Sequence, residues 1–261
     1  MTRKELLRDH FAKEKFPLVF AHRGYSSLAP ENTLSAFTLA KEKKIPGIEL
    51  DVHICKSGEL VVTHDENLKR ITGYDGKIKD TEYSFIKDLD AGSWFHEKFR
   101  AEKIPLLSEV FESLGKSVYY DIEIKGRDKK PKALEEKLNS LITTFGMEKN
   151  CLISSFNPFA IKKIQSLNAK LLTAIIYCVD EEVPKILHHG EGRIISGCQI
   201  LKPDKQKVSK AYMRFHRFFG GYPVIPWTIN DPEEAKKLIE LGVDGIISDN
   251  PEMIMASLSS G

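Results

Sequence analysis

The chain has 261 residues, 29% charged and 41% hydrophobic, with 39 Lys and Arg against 37 Asp and Glu for a net charge of +2. This excludes wholesale disorder and offers no concentrated basic face, so no nucleic-acid partner is expected. The length suits one or two domains, and a single α/β barrel of about 250 residues would account for all of it.

The N-terminal MTRKELLRDHFAKEKF is charged throughout and lacks the apolar core of a signal peptide. The longest apolar stretch, around LLTAIIYCV (171–179), is too short to span a bilayer. A cytoplasmic protein without stable membrane insertion is therefore expected. Cys55, Cys151, Cys178 and Cys198 lie far apart with no C-x-x-C, and read as reduced thiols rather than disulfide or zinc ligands.

Short apolar runs then recur: PLVFA (17–21), GIELDV (47–52), LVVTH (60–64), SVYYDIEI (117–124), CLISSF (151–156), LLTAIIY (171–177), GCQIL (197–201), YPVIPWTI (222–229) and GIISD (245–249). Helical patterns separate most of them. NTLSAFTLAKEKK places Leu34, Phe37 and Leu39/Ala40 at helical spacing, with Asn32 or Thr33 as cap. Asn157 precedes Pro158 and a helix. Asp231-Pro232-Glu233-Glu234 reads as a capping box, with Pro at the first helical position and Gly242 as the stop. Alternating β and α with short connections predicts a parallel sheet covered by helices. Eight of the runs serve as strands of a (β/α)8 TIM barrel, and LVVTH as an extra strand pairing with the second. An open doubly wound sheet is the competing arrangement. The absence of a Gly-rich phosphate loop after the first strand argues against its dinucleotide-binding version.

Residues 66–104 are too long for an ordinary connection and too aromatic for a disordered one, with Tyr74, Tyr83, Phe85, Trp94, Phe95 and Phe99. They predict a small packed insertion after the second strand, over one end of a single domain spanning 1–261. An insertion near a barrel mouth more often shapes substrate access than not.

In a barrel the chemistry lies at the strand C-termini. His22 and Arg23 end the first run, Glu49 and Asp51 lie on the second, and His64-Asp65 end LVVTH. YYDIEIK carries Asp121, Glu123 and Lys125; the last two runs end near Trp227, Asn230 and Asp249. Residues two apart on a strand share a face, so Glu49 and Asp51 point together, as do Glu123 and Lys125. Acidic side chains inside apolar strands are costly to bury unless paired or metal-bound. Singly, each has an ordinary explanation: a packed histidine, a Glu49–Arg23 pair, a Glu123–Lys125 pair. Together, two histidines, three carboxylates, an Arg and a Lys at predicted strand ends point to an active site. Clustered carboxylates suit Mg²⁺ or Ca²⁺, which take oxygen ligands. A metal and two cations favour an anionic substrate, most naturally phosphate, and two histidines supply an acid and a base near neutral pH. His10, His53, His96, His188, His189 and His216 lack such partners. The Lys-rich stretch from 125 to 132 reads as a solvated loop beyond Lys125.

The ordered segments AHRGYSSLAPENTLSAF, GIELDVHICKSGELVVTHDENLKRITG, YYDIEIK, ISSFNP and PWTINDPEEAKKLIELGVDGIISDNPE resemble the glycerophosphodiester phosphodiesterase family over about residues 17–252. The resemblance implies a (β/α)8 barrel with a small insertion after the second strand, and cleavage of glycerophosphodiesters (deacylated phospholipids) to sn-glycerol 3-phosphate and an alcohol. It implies His22 and His64 as the acid/base pair, and Glu49, Asp51 and Glu123 as ligands of one divalent cation, Mg²⁺ or Ca²⁺. Arg23 and Lys125 become phosphate contacts, Trp227 an aromatic wall beside the glycerol, and Asn32 a structural support in the PENT turn. The segment GCQILKPDKQKVSKAYMRFHRFFGGYPV matches weakly, and Ile71-Thr72-Gly73 stands where Thr-Thr-Gly is usual. A lysophospholipase D using the same site is the alternative activity. A sphingomyelinase D-like enzyme would be secreted and disulfide-bonded, and a non-catalytic barrel would lack ligands; the sequence fits neither. Small molecules are the expected partners, and the oligomeric state is left open.

Overall fold

The computed structural model describes residues 1–126, 133–181 and 183–259. The solvated loop expected beyond Lys125 lies almost wholly outside the described residues. In chain order the elements are α1 (Arg3–His10), β1 (Leu18–Ala21), α2 (Leu34–Glu42), β2 (Gly47–Ile54), β3 (Leu60–Val62), α3 (Lys69–Thr72), α4 (Tyr83–Ile86), α5 (Leu107–Leu114) and β4 (Tyr119–Ile124). There follow α6 (Ala133–Phe145), β5 (Cys151–Ser155), α7 (Pro158–Leu167), β6 (Leu172–Tyr177), α8 (Gly192–Ser196), β7 (Ile200–Pro203), α9 (Lys210–Gly220), α10 (Pro232–Glu240), β8 (Gly245–Ser248) and α11 (Pro251–Ser259). Among the described residues no helix is long and apolar enough to cross a membrane.

The parallel strands lie in the order β7-β6-β5-β4-β2-β1-β8, and β3 pairs antiparallel with β2 as the pattern predicts. The run 222–229 is not a regular strand. Its prolines, Pro223 and Pro226, have no N–H to give a ladder. It is held instead by isolated parallel bridges, Leu201 to Val224 and Asp204 to Trp227. On the β7 side Ile225 N donates to Leu201 O at 2.9 Å; on the β8 side Asp244 N donates to Val224 O at 2.8 Å and Ile229 N to Ile247 O at 2.9 Å. This segment is the eighth stave, and with it the sheet closes into a (β/α)8 barrel.

The alternation of each strand decides what faces inward. Ile48, Leu50 and Val52 on β2, and Tyr120, Ile122 and Ile124 on β4, pack outward into the helical layer. Glu49, Asp51, Asp121 and Glu123 therefore face the barrel axis. Phe20, Leu152, Ala174, Ile200, Ile225 and Ile247 fill the lower interior. Helix α1, which the charged N-terminal sequence concealed, closes the N-terminal end by burying Leu7 and Phe11 against Leu18 and Tyr119. Phe11 stacks edge-on with Tyr119 at 4.7 Å between centroids.

The caps form where the sequence puts them. Thr33 caps α2, Asn157 caps α7 with Pro158 in the first turn, and Asp231 Oδ1 accepts from Glu233 N at 3.0 Å ahead of α10. The expected reciprocal half of that box is replaced by a longer-range pair, because Glu234 meets Lys205 Nζ at 2.7 Å. Strand β7 runs on to Pro203, past Leu201 where the apolar run stops, so Lys202 lies inside the strand.

Between β3 and α5, residues 66–104 carry α3, α4 and two 3₁₀ turns. Leu68, Ile71, Ile78, Ile86, Ala91 and Ile104 cluster there with Cys55 and Val61. Aliphatic side chains make this small core, while Phe85 and Trp94 stay exposed.

Where β1 ends, Arg23 (φ 55°) and Gly24 (φ 82°) both adopt the left-handed region. A Cβ on Gly24 would stand 2.7 Å from Ala36 Cβ and 2.8 Å from its carbonyl carbon. Gly24→Ala is expected to cost at least about 1–3 kcal/mol from the backbone conformation alone, read as a fall in thermal midpoint. An unchanged midpoint would show that the turn can relax.

Candidate active site

The carboxylates come first because they are the least soluble part of the design. Asp51 on β2 stands directly opposite Glu123 on β4, and Glu49 opposite Asp121. Glu49, Asp51 and Glu123 each offer an oxygen within 4.8 Å of the others, and all three are buried. Like charges in register are destabilising unless something answers them. Lys125, just beyond β4, places Nζ 2.6 Å from Glu123 Oε1 and 3.0 Å from Asp51 Oδ1. Asn32 Nδ2 donates to Asp51 Oδ2 at 2.8 Å. Burial alone would raise the Asp51 carboxyl, but Lys125 and Arg23 hold it well below the usual carboxylate range. Burial together with the Asp51 charge pushes Glu49 up to about 8, against the lowering effect of His22 and Lys202. Asp51 and Glu123 raise Lys125 against the opposing effect of burial.

Arg23 divides its groups. Its backbone N–H donates to Glu49 Oε2 at 3.1 Å, while Nη1 donates to Glu31 Oε1 at 2.9 Å and Nε lies 3.5 Å from Asp51 Oδ2. The simple Glu49–Arg23 side-chain pair considered from sequence is therefore not what forms; the Glu123–Lys125 pair is. The buried Nε of Arg23 has no hydrogen-bond partner.

Both histidines are oriented in the same way. His22 Nδ1 donates to Asp249 Oδ1 at 2.6 Å, and His64 Nδ1 to Asp65 Oδ1 at 2.7 Å. In each ring this leaves Nε2 as the nitrogen available for proton exchange. His22 Nε2 lies 4.0 Å from Glu49 Oε2. Burial would lower His22, but the Asp249 hydrogen bond and the Glu49 charge raise it above the ordinary histidine value. Asp249, which burial would raise, is held at about 2 by His22 with help from Asn230 and Ser26. Asp65 is likewise lowered against burial, chiefly by Arg70 and His64. A cavity of about 520 Å³ opens beside His22 and Arg23, lined also by Glu31, Asn230, Asp249 and Met253.

The structure thus brings His22, Arg23, Glu49, Asp51, Glu123 and Lys125 into one contact network, with His64 close enough to Asp51 to act on its charge. Trp227 stands apart from that network. It packs edge-on against Phe156 at 5.9 Å and donates Nε1 to Lys202 O at 3.1 Å.

Several site residues carry no assignment from sequence. Asp249 and Asp65 sit at strand ends, but only the fold gives them histidine partners. Lys202 lies in the weakly matched segment and is 1% exposed. Its Nζ meets Asp121 Oδ2 at 2.6 Å and Ser154 Oγ at 3.0 Å, one register step deeper than Asp51 and Glu123. Glu31 and Arg70 give no signal in the sequence beyond their charge.

Carboxylates, cations and oriented imidazoles gather at the C-terminal mouth, where barrel enzymes keep their active sites. Residues 22–253 match the Glycerophosphoryl diester phosphodiesterase family. The chain is 35% identical over 258 residues to a glycerophosphodiester phosphodiesterase of Caldanaerobacter subterraneus subsp. tengcongensis, covering 94% of this chain and 98% of that one. It is 30% identical over 262 residues to a lysophospholipase D of Homo sapiens, covering 88% and 82%. A phosphodiesterase of Oleispira antarctica, solved with the product sn-glycerol-3-phosphate, superposes with a TM-score of 0.81 at 29% identity, covering 96% of this chain and 99% of that one. The chain belongs to the glycerophosphoryl diester phosphodiesterase family and is an enzyme of that family.

Removing one partner of a buried ion pair strands the other. Lys202→Met is expected to lower the unfolding free energy by about 3–5 kcal/mol, and adding Asp121→Asn should return part of that loss. Urea denaturation measures both; a wild-type midpoint for Lys202→Met would contradict the pairing.

Proposed function

We propose that this protein hydrolyses glycerophosphodiesters to sn-glycerol 3-phosphate and an alcohol, using His22 and His64 as the proton-transfer pair. The observation that carries the reading is that both imidazoles are fixed through Nδ1 by a carboxylate, beside the buried Glu49, Asp51 and Glu123 cluster. Three buried carboxylate oxygens that converge within 4.8 Å of one another fit a divalent ion, Mg²⁺ or Ca²⁺. When bound, that ion supplies positive charge to the phosphoryl group and makes an oxygen nucleophile more acidic.

The chain's own residues then divide the work. One histidine takes the proton of the attacking oxygen, water or a glycerol hydroxyl, and the other protonates the departing alkoxide. The P–O bond to the alcohol breaks as the new P–O bond forms. Where a glycerol hydroxyl attacks, the product is a cyclic glycerol phosphate, which water then opens to glycerol 3-phosphate with the roles of the two histidines reversed. Arg23, whose buried Nε has no hydrogen-bond partner, and Lys125 hold the phosphoryl charge. Trp227, packed on Phe156, forms an apolar wall beside the glycerol. The chain acts as one domain over 1–261, with 66–104 as a small insertion over the mouth. Relatedness to a lysophospholipase D, together with exposed Phe85 and Trp94 in that segment, favours lysophospholipid as the second substrate class.

His22→Ala and His64→Ala are each expected to lose roughly 10²- to 10⁴-fold in turnover of glycerophosphocholine with the fold intact. An aryl phosphodiester, whose leaving group needs no acid, should rescue only the variant lacking the general acid. Near-normal turnover of glycerophosphocholine by either variant would sink the assignment. Running glycerophosphocholine, glycerophosphoethanolamine and lysophosphatidylcholine side by side, with glycerol 3-phosphate detection, separates the two substrate classes.

Excess EDTA should abolish activity, and Mg²⁺ or Ca²⁺ should restore it. Undiminished activity in chelator would remove the cation from the reading.

A further inference from the structure

Arg70, on α3 within residues 66–104, sits at the centre of a chain of charges that joins the two sides of the mouth. Its Nε donates to Asp65 Oδ2 at 2.6 Å. Its Nη2 and Nη1 donate to the two oxygens of Glu31 at 2.6 and 3.2 Å. Asp65 uses its other oxygen to hold His64 Nδ1 at 2.7 Å, and Glu31 Oε1 also takes Arg23 Nη1 at 2.9 Å. One guanidinium thus links His64, Asp65, Glu31 and Arg23. The Trp94 ring, from the same segment, lies 5.7 Å from Arg70 Cζ.

The energetics say what this arrangement is for. The Arg70 side chain is 42% exposed, and ion pairs that wet contribute little to folding. Its geometry is what is unusual. A planar fork with several fixed donors holds two carboxylates on different loops at once, each in a directed geometry. An ammonium can lie between two carboxylates, as Lys125 does, without fixing the plane of either. Freeing Asp65 lets the His64 ring rotate about its side-chain bonds; freeing Glu31 lets Arg23 swing toward Asp51. Small misplacements of reacting groups cost rate far more than stability.

We propose that Arg70 is a positioning residue for the reaction, setting His64 through Asp65 and Arg23 through Glu31, so that residues 66–104 align the mouth as well as covering it. This rests on the hydrolase reading given under Proposed function.

The test compares Arg70→Met and Arg70→Lys with wild type, using glycerophosphocholine turnover and thermal midpoint. Arg70→Met should lower kcat roughly 10- to 100-fold while the midpoint moves by no more than about 2 °C. Arg70→Lys, which keeps the charge without the fork, should recover only part of kcat. Adding Asp65→Asn to Arg70→Met should cost less than the product of the two single losses, because both act through His64. Wild-type kcat in Arg70→Met would overturn the inference and leave the hydrolase reading standing. So would a loss of activity that merely tracks a collapse of the midpoint in both variants. Absence of turnover by the wild type itself would overturn the hydrolase reading, and this inference with it.

Discussion

Four carboxylates buried on two adjacent strands are the constraint around which this barrel is arranged. Glu49 and Asp51 on β2 face Asp121 and Glu123 on β4 in direct register. Four uncompensated charges at that spacing inside a low-dielectric barrel could not persist. Each is answered by something specific. Lys202 on β7 neutralises Asp121, and Ser154 on the neighbouring β5 donates a hydrogen bond to it. Lys125 bridges Asp51 and Glu123, and Asn32 and Arg23 take the remaining side of Asp51. Glu49 receives a backbone N–H from Arg23 and has His22 Nε2 at 4.0 Å, while burial beside Asp51 raises it. In the proposed mechanism a divalent cation would join these groups, and the protein's own cations already set the geometry it would meet.

That compensation is also tied to the orientation of the two imidazoles. Arg23 contributes a backbone donor to Glu49 and a guanidinium to Glu31 and Asp51, which requires the left-handed turn at the end of β1. The turn in turn requires Gly24, wedged against Ala36. His22 precedes that turn and finds Asp249 across the β1–β8 seam, where β1 and β8 pair in parallel. His64 follows β3 and finds Asp65 beside it. The two imidazoles reach the same state by different routes, one through tertiary closure and one through an adjacent residue.

Closure of the barrel bears on the site as much as on the fold. The proline-containing stave 222–229 cannot form a ladder, yet it joins β7 to β8 through a few well-placed hydrogen bonds. It carries Trp227, whose indole is fixed by the Lys202 carbonyl, and it leads to Asn230, which donates to Asp249 Oδ2 at 2.6 Å. Lys202 therefore links its buried ion pair with Asp121 to the Trp227 indole. At the opposite end, α1 seals the interior with Leu7 and Phe11, so the mouth is where the polar interior meets solvent.

Much of this was legible in the chain because local pattern and chemistry agreed. Period-two alternation puts Glu49 with Asp51 and Glu123 with Lys125 on shared faces, and caps at Asn32 or Thr33, Asn157 and Asp231 mark helix starts. The strand carrying Lys202 was cut short because a lysine in an apolar run looks like an end; its counter-charge, Asp121, lies some eighty residues earlier. Helix α1 is hidden in the sequence because its buried Leu7 and the Phe11 that follows it are outnumbered by charged residues. The run 222–229 read as a strand because it is apolar, while its prolines forbid the ladder that would make it one. By itself the sequence determined the barrel class, the inward carboxylates and the pair of histidines, since periodicity and residue type are local properties. Only the tertiary structure decided that Asp249 holds His22, that Lys202 answers Asp121 and that Arg70 joins His64 to Arg23. Those pairings depend on which strand and loop ends meet in space, and chain order does not encode that separately from the fold.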